Sequence, residues 1–307
     1  MVGRKSHKTV VITGANGLLG QKVVEAFAPH FRVVATGIQK KSVQSRQVEA
    51  EYAALDVIDY PKLKDFLLDI RPDVVVNCAG YTSVDKAEQE KDQARKVNAT
   101  AVKKMVQVLR RMKSKFVQIS TDYIFDGTSG PYNESSRPNP LNYYGLTKWE
   151  AENAVKASGI DHLIFRTNVL YGVANKVSRN FVLWVMQSLQ ENKEIRVVDD
   201  QLNNPTLANG LAECILMGCV MNVHGVYNYG GTEYLSRYEF ARKIAHFFDL
   251  PVQRIQRCSS ADLNQQADRP LQSGLKTEKV VEDLHIRLYD IQAGLKQVEK
   301  DLQKCEI

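Results

Sequence analysis

The chain of 307 residues predicts an α/β fold: a doubly wound parallel sheet with helices on both faces, followed by a smaller C-terminal domain. Three observations carry this expectation. Strand-like Val/Ile runs alternate with helical patterns through the first two thirds, a glycine-rich loop joins the first strand to the first helix, and the rhythm changes to longer helical patterns after Gly172. The 44% hydrophobic content is enough to fill a core without disulfide staples.

In order, "TVVITG", "RVVATG", "DVVVNCAG", "KFVQIS" and "HLIFRTNVLYG" read as strands, their near-continuous apolar runs marking strands buried on both faces. Between them "GQKVVEAFAPH", "YPKLKDFLLDI" and "NATAVKKMVQVLRRM" read as helices. A further helix begins after Pro140, with Asn142 as its cap and Gly159 as its stop. Beyond Gly172, "RNFVLWVMQSLQEN", "YEFARKIAHFFDL" and "LYDIQAGLKQVEKDLQK" are helical and "RCSSADLNQQADRPLQSG" is a loop. The predicted division is residues 1–172 for the first domain, with 199–232 returning to it, and residues 173–198 and 233–307 for the smaller one.

Composition narrows the function classes. The formal charge of +6 is spread without a long basic run, which fits a small anionic ligand and argues against nucleic acid as a partner. No run of 18 apolar residues occurs and no signal-type apolar core follows the basic N-terminus, so neither a membrane partner nor export is expected, and a cytoplasmic location is. Five scattered cysteines lack a Cys-x-x-Cys spacing and read as reduced thiols. The six histidines (His7, His30, His162, His224, His246 and His285) are isolated, so no metal site is expected.

The first chemical signal is "TGANGLLG", where Gly14, Gly17 and Gly20 lead from a strand into a helix. Glycines there let the backbone approach a pyrophosphate, which meets free amides and the positive helix end. A strand before and a helix after are the context of a dinucleotide-binding Rossmann loop. Between NAD(H) and NADP(H), the end of the second strand decides: "GIQKKS" offers no carboxylate to a ribose diol, whereas Lys40 and Lys41, next to Gln39, can meet a 2′-phosphate. NADP(H) is therefore expected ahead of NAD(H). Asp56, after Leu55 in "AALDVID", is placed either to accept from the adenine amino group or to cap the next helix.

The second signal is "LNYYGLTKWEAE". Residues four apart on a helix are offset by only about 40°, so Lys148 shares a face with Tyr144 and not with Tyr143. Beside a nicotinamide, reduction of a ketone needs a proton donor at the developing alkoxide. A neighbouring ammonium is expected to lower the Tyr144 phenol from its usual value of about 10. Thr121, at the end of "KFVQIST", is placed to hydrogen-bond the same carbonyl oxygen. Lys148 would also hold the ribose hydroxyls.

Taken together, "TGANGLLGQ", "VVNCAGYTSVDKAEQE", "KVNAT", "STDYIFDGTSGPYNESSRPNPLNYYGLTKWEAE", "FRTNVLYG", "VVDDQLNNPT", "GVYNYGGTEYLSRYEFA" and "RPLQSGL" resemble the extended short-chain dehydrogenases/reductases over nearly the whole chain. Within them the resemblance is to the dTDP-4-dehydrorhamnose reductase family. It implies catalytic Thr121, Tyr144 and Lys148. It implies cofactor contacts at Asn16, Gly17, Leu18, Leu19, Asp56, Cys78, Ala79 and Tyr81, a sugar-nucleotide pocket near Asp122 and Arg269, and a supporting role for Asn98. The expected reaction is NADPH-dependent reduction of the C4 ketone of a 4-keto-6-deoxy sugar nucleotide, dTDP-4-dehydrorhamnose foremost, in a homodimer. The segment "DQLNNPT" departs from the family by carrying Asn203 and Asn204 where a glycine is usual. A second resemblance, to the regulatory beta subunit of methionine adenosyltransferase, implies the same fold and NADP binding without turnover. Another sugar-nucleotide reductase or epimerase is a third reading.

Overall fold

A computed structural model of the chain describes residues 8–45 and 48–305, which leaves His7 outside the described residues. The first half runs β1 (Thr9–Thr13), α1 (Leu18–Phe27), β2 (Arg32–Gly37), β3 (Glu51–Ala54), α2 (Tyr60–Ile70), β4 (Val74–Asn77), α3 (Val84–Gln89), α4 (Lys91–Arg95), α5 (Ala101–Leu109), β5 (Lys115–Thr121), α6 (Tyr143–Ser158) and β6 (His162–Thr167). The second half runs β7 (Leu170–Tyr171), α7 (Phe181–Gln190), β8 (Ile195–Val198), β9 (Leu202–Asn203), β10 (Thr206–Leu207), α8 (Ala208–Val220), β11 (Gly225–Asn228), β12 (Leu235–Ser236), α9 (Arg237–Phe247), β13 (Ile255–Cys258), α10 (Glu278–Leu284) and α11 (Ile291–Leu302).

Seven strands pair in the order β11-β6-β5-β4-β1-β2-β3, all in parallel. Val11 is the registration point of the central strands, level with Val34 of β2 and Val75 of β4. Both faces are covered, which explains why these strands read as unbroken apolar runs. One core holds Val10, Ile12 and Val76 against Val23, Phe27 of α1 and Leu211, Ile215 of α8. The opposite core holds Val11 and Val75 against Leu63 and Leu67 of α2, Met105 of α5 and Ala151 of α6. Strand order reverses between β1 and β4, so a cleft opens beyond their carboxyl ends, where Gly14 and Cys78 follow the two strands.

A third apolar cluster lies among α7, α9 and α11, with Val182, Phe240, Ile244 and Leu295 at its centre. It is reached and left more than once by the chain, because β11 returns to the edge of the main sheet beside β6. Asn180, Ser236 and Asp290 cap α7, α9 and α11, Ser236 through a reciprocal capping box with Glu239. Asn204 shapes the segment "DQLNNPT": its side chain donates to Gly231 O and Leu275 O and accepts from Leu275 N and Asn168 Nδ2. Among the described residues, no helix is long and apolar enough to cross a membrane.

Candidate active site

The glycine loop sets one wall of the cleft. Gly14 has φ +63°, and a Cβ there would stand 2.6 Å from Ala79 N, so only glycine lets β1 and β4 end this close together. Gly17 caps α1 without a side chain, so the first-turn amides have no side-chain partner, as an anion-binding helix end requires. A cavity of about 390 Å³ follows, lined by Gly14, Asn16, Gly17, Gln39, Leu55, Asp56, Cys78, Ala79 and Tyr81 together with Gly37, Ile38, Val57 and Val97. A second cavity of about 560 Å³ adjoins it through the shared residues Gly17, Cys78, Ala79 and Gly80. It is lined by Leu18, Leu19, Gly20, Thr121, Asp122, Tyr123, Tyr144, Lys148, Arg179 and Arg237. The two are continuous: an apolar-sided end at Ile38, Leu55 and Val57, the glycine loop in the middle, and a polar end at Tyr144 and Lys148.

Asn16 organises the first end. Its amide donates to Gln39 Oε1, Lys41 O and Tyr52 Oη and its Oδ1 accepts from Val43 N, tying the loop after β2 to the glycine loop. Lys40 and Lys41 are exposed and lie outside the cavity lining. Asp56 Oδ1 accepts from Ile58 N, while the cap of α2 is Asp59. Tyr81 lines the cavity and donates its hydroxyl to Glu90. The Cys78 thiol is pushed up to about 12 by burial and is an inert wall.

At the polar end, α6 presents Tyr144 and Lys148 on one face, as helical spacing requires. Asn142 accepts from Gly145 N, and Gly159, at φ +68°, ends the helix. Tyr143 turns away: its ring lies 5.4 Å from the Lys91 ammonium, outside the cavity. The Lys148 ammonium donates to Ile119 O at 2.5 Å, and Gln118 Nε2 donates to the same carbonyl. A buried polar ladder supports that carbonyl, Thr13 donating to Asn77 and Asn77 to Gln118. Burial pulls the Lys148 ammonium down to about 8, with Glu152 and Cys78 opposing.

Tyr144 does not follow the expectation of a lowered pKa. Burial is the largest influence and raises it, the hydrogen bond with Thr121 lowers it, and Asp122 and Tyr123 add to the rise. The Lys148 ammonium is spent on Ile119 O instead. Tyr144 is thus a hydroxyl that keeps its proton at neutral pH. Thr121 Oγ1 donates to Asp122 Oδ1 at 3.0 Å and accepts from Tyr123 N. Asp122 also accepts from Ser273 Oγ at 2.5 Å, and its carboxyl is raised to about 6 by burial, against the hydrogen bonds of Ser273 and Thr121 and the charge of Arg237.

Asn98 sits in a π-helical turn, Lys96–Thr100, inside the segment that reads as plain helix. Its side chain accepts from Tyr81 N and donates to Tyr81 O and Thr147 Oγ1, clamping the loop after β4 to α6. Arg269 is not brought to the cavity lining. Its fork is filled by Asp85 Oδ2 at 2.8 Å and Ala267 O at 2.7 Å. Two further cations, Arg179 and Arg237, line it beside Lys148; neither is singled out by the sequence reading, nor is Ile38, a branched apolar residue left 71% exposed at the slot's rim. An isoleucine beside "QKKS" was the one available signal. Among the described residues, no cluster of three or more His, Cys, Asp or Glu is arranged to hold a metal.

This architecture, a seven-stranded parallel sheet with the glycine loop at its switch point and a second lobe over it, is that of an extended short-chain dehydrogenase/reductase. The chain belongs to the family described as RmlD substrate binding domain, which matches residues 8–304. It is similar to methionine adenosyltransferase 2 subunit beta of Xenopus laevis, at 30% identity over 251 residues, 80% of this chain and 73% of that protein. It is also similar to dTDP-4-dehydrorhamnose reductase of Escherichia coli, at 29% identity over 304 residues, 95% of this chain and 97% of that one. Among solved structures, dTDP-4-dehydrorhamnose reductase from Bacillus anthracis in complex with NADP matches with a TM-score of 0.85 at 29% identity, over 96% of this chain and all of that one.

Proposed function

We propose that the protein is an NADPH-dependent reductase of a 4-keto-6-deoxy sugar nucleotide, with dTDP-4-dehydrorhamnose as first candidate and Tyr144 as proton donor. The observation that carries this is that Tyr144, Thr121 and Lys148 line one cavity, and that this cavity adjoins the glycine-loop slot. Gly14, Gly17, Leu18, Leu19 and Gly20 hold the pyrophosphate, Asn16, Gln39, Leu55 and Asp56 the adenosine end, and Cys78, Ala79 and Tyr81 line the passage. When bound, NADPH supplies the hydride to the ketone carbon. Tyr144, kept protonated by its buried setting, gives its proton to the oxygen as charge develops there. Thr121 donates to the same oxygen once it releases Asp122, fixing the carbonyl's direction. Lys148, one of whose ammonium donors is taken by Ile119 O, holds the ribose hydroxyls from the floor of the cleft with the others.

The test is incubation with NADPH and a panel of 4-keto-6-deoxy sugar nucleotides, following NADPH absorbance. Turnover with the dTDP substrate is expected, and none with the corresponding 4-hydroxy compounds. A second reading is favoured by the similarity to methionine adenosyltransferase 2 subunit beta, namely a partner-binding subunit. NADPH binding without oxidation by any keto sugar, together with copurification of a separate enzyme, selects it.

NADPH is expected to bind more tightly than NADH, because no carboxylate stands at the end of β2. Since Lys40 and Lys41 are exposed, replacing both by alanine should narrow the difference by only about 1 kcal/mol per contact or less. Equal affinities of the wild-type protein for the two cofactors, by fluorescence titration, would remove this assignment.

A further inference from the structure

Arg237 is the first residue of α9 and enters the cavity beside Thr121, Asp122, Tyr123 and Tyr144. Its guanidinium stacks over the Phe181 ring at 5.2 Å, and its charge acts on the Tyr123 phenol. Its Nε is buried and has no hydrogen-bond partner. An unpaired buried donor on a charged group is costly, and native structures retain one mainly where something else completes it. Asp122 is the nearby carboxylate, but its two oxygens already accept from Thr121 and Ser273. Arg179, exposed, stands at the same cavity's edge and adds to the positive charge.

The contrast with Arg269 is instructive, because both arginines belong to the second half of the chain and both act on Tyr123. Arg269 is paired with Asp85 and with Ala267 O and lies outside the cavity lining. Arg237 has a ring beneath it that holds the guanidinium plane, and donors left over. A planar fork so fixed suits a phosphate better than a hydroxyl.

We propose that Arg237, with Arg179 at the rim, is the anion-holding subsite of the substrate and takes a phosphate of the sugar-nucleotide diphosphate. This rests on the reductase reading for the identity of the anion and makes Arg237 the residue that tells a nucleotide-linked ketose from a free one. By holding the diphosphate it positions the far side of the sugar ring at Tyr144 and Thr121.

The test uses the full chain with saturating NADP and titrates dTDP and UDP by calorimetry, with thymidine and uridine as uncharged controls. Arg237→Gln is expected to weaken binding of the diphosphates by about 10- to 100-fold, the range of one charge-assisted hydrogen bond, while nucleoside and NADPH affinities stay within about twofold. Arg237→Lys keeps the charge but not the fork and is expected to fall between the two. Arg269→Gln is expected to leave diphosphate affinity unchanged. Wild-type protein that binds neither diphosphate, or Arg237→Gln protein that binds both as tightly as wild type with an unaltered NADPH affinity, overturns the subsite. Should Arg237→Gln fail to fold, wild-type affinity in Arg237→Lys overturns it equally. Diphosphate binding through Arg237 without turnover of any keto sugar supports the subsite and removes the reductase reading instead.

Discussion

Tyr144 lines the cleft together with Thr121, whereas Tyr143, one position earlier, lies under Lys91. Tyr144→Phe is therefore expected to lower ketone reduction by about 100- to 10,000-fold, the span of general acid catalysis, and Tyr143→Phe to change it little. Steady-state rates of the two variants check this, and equal losses in folded proteins would move the proton donor elsewhere. Asp122 makes a second expectation at this scale. Its folded value of about 6 lies above the 3.8 of an open chain, so its contribution to stability is present below about pH 4 and lost as pH rises through about 6. Asp122→Asn should flatten that part of the stability profile, removing a fall of roughly 3 kcal/mol at most, as read by denaturant unfolding between pH 4 and 7. The Tyr144–Lys148 pairing was legible because it needs only the helical period. The state of Asp122 was not, since its partner Ser273 lies 151 residues away.

Helix α6 carries both of its boundary signals in its own sequence, Asn142 and Gly159, and both act as read. What it rests on is not local. Gly145 passes so close to the 122–124 turn that a Cβ would stand 2.1 Å from Tyr123 O. Gly145→Ala is expected to push the first turn of α6 outward, costing about 1–3 kcal/mol in unfolding free energy and lowering kcat more than NADPH affinity, because Tyr144 moves while the glycine loop does not. Unfolding curves and initial rates measured on one preparation separate the two effects, and an unchanged kcat would show that the turn gives way instead. The π-helical turn before α5 was illegible for a related reason. Its residues have ordinary helical character, and the widened turn places Asn98 among hydrogen-bonding groups on two other elements, Tyr81 and Thr147.

Across the whole molecule, the sheet, its two helical layers and the cleft at the switch point follow from apolar alternation and one glycine loop, so the fold class was readable from short stretches. The closure of the molecule was not, because it depends on contacts between the two ends of the chain. Lys22 of α1 and Asp301 of α11, both buried, are 2.8 Å apart, and Asn209 of α8 donates to the same carboxylate. Burial pulls the Lys22 ammonium down, but Glu25 and Asp301 outweigh it and the net shift is upward. Asp301→Ala leaves Lys22 buried with only the Glu25 carboxylate at 3.3 Å, so it should be destabilising but by less than the ~3–5 kcal/mol of a wholly unpaired buried charge. The double change Lys22→Met with Asp301→Leu should cost less than Asp301→Ala alone. A double-mutant cycle by chemical denaturation checks the ordering. The return of the chain to β11 has a practical corollary for anyone recombining relatives. Because the sheet's edge strand is made only after α7 and β8 have already been laid into the other core, and α9 and α11 follow it while α10 packs Val280 and Leu284 back on the first core, the covering lobe cannot be exchanged at a single crossover. A chimera that swaps substrate preference needs an internal cassette and a terminal one, cut on either side of β11, and a one-junction hybrid would pair a foreign edge strand with a native sheet.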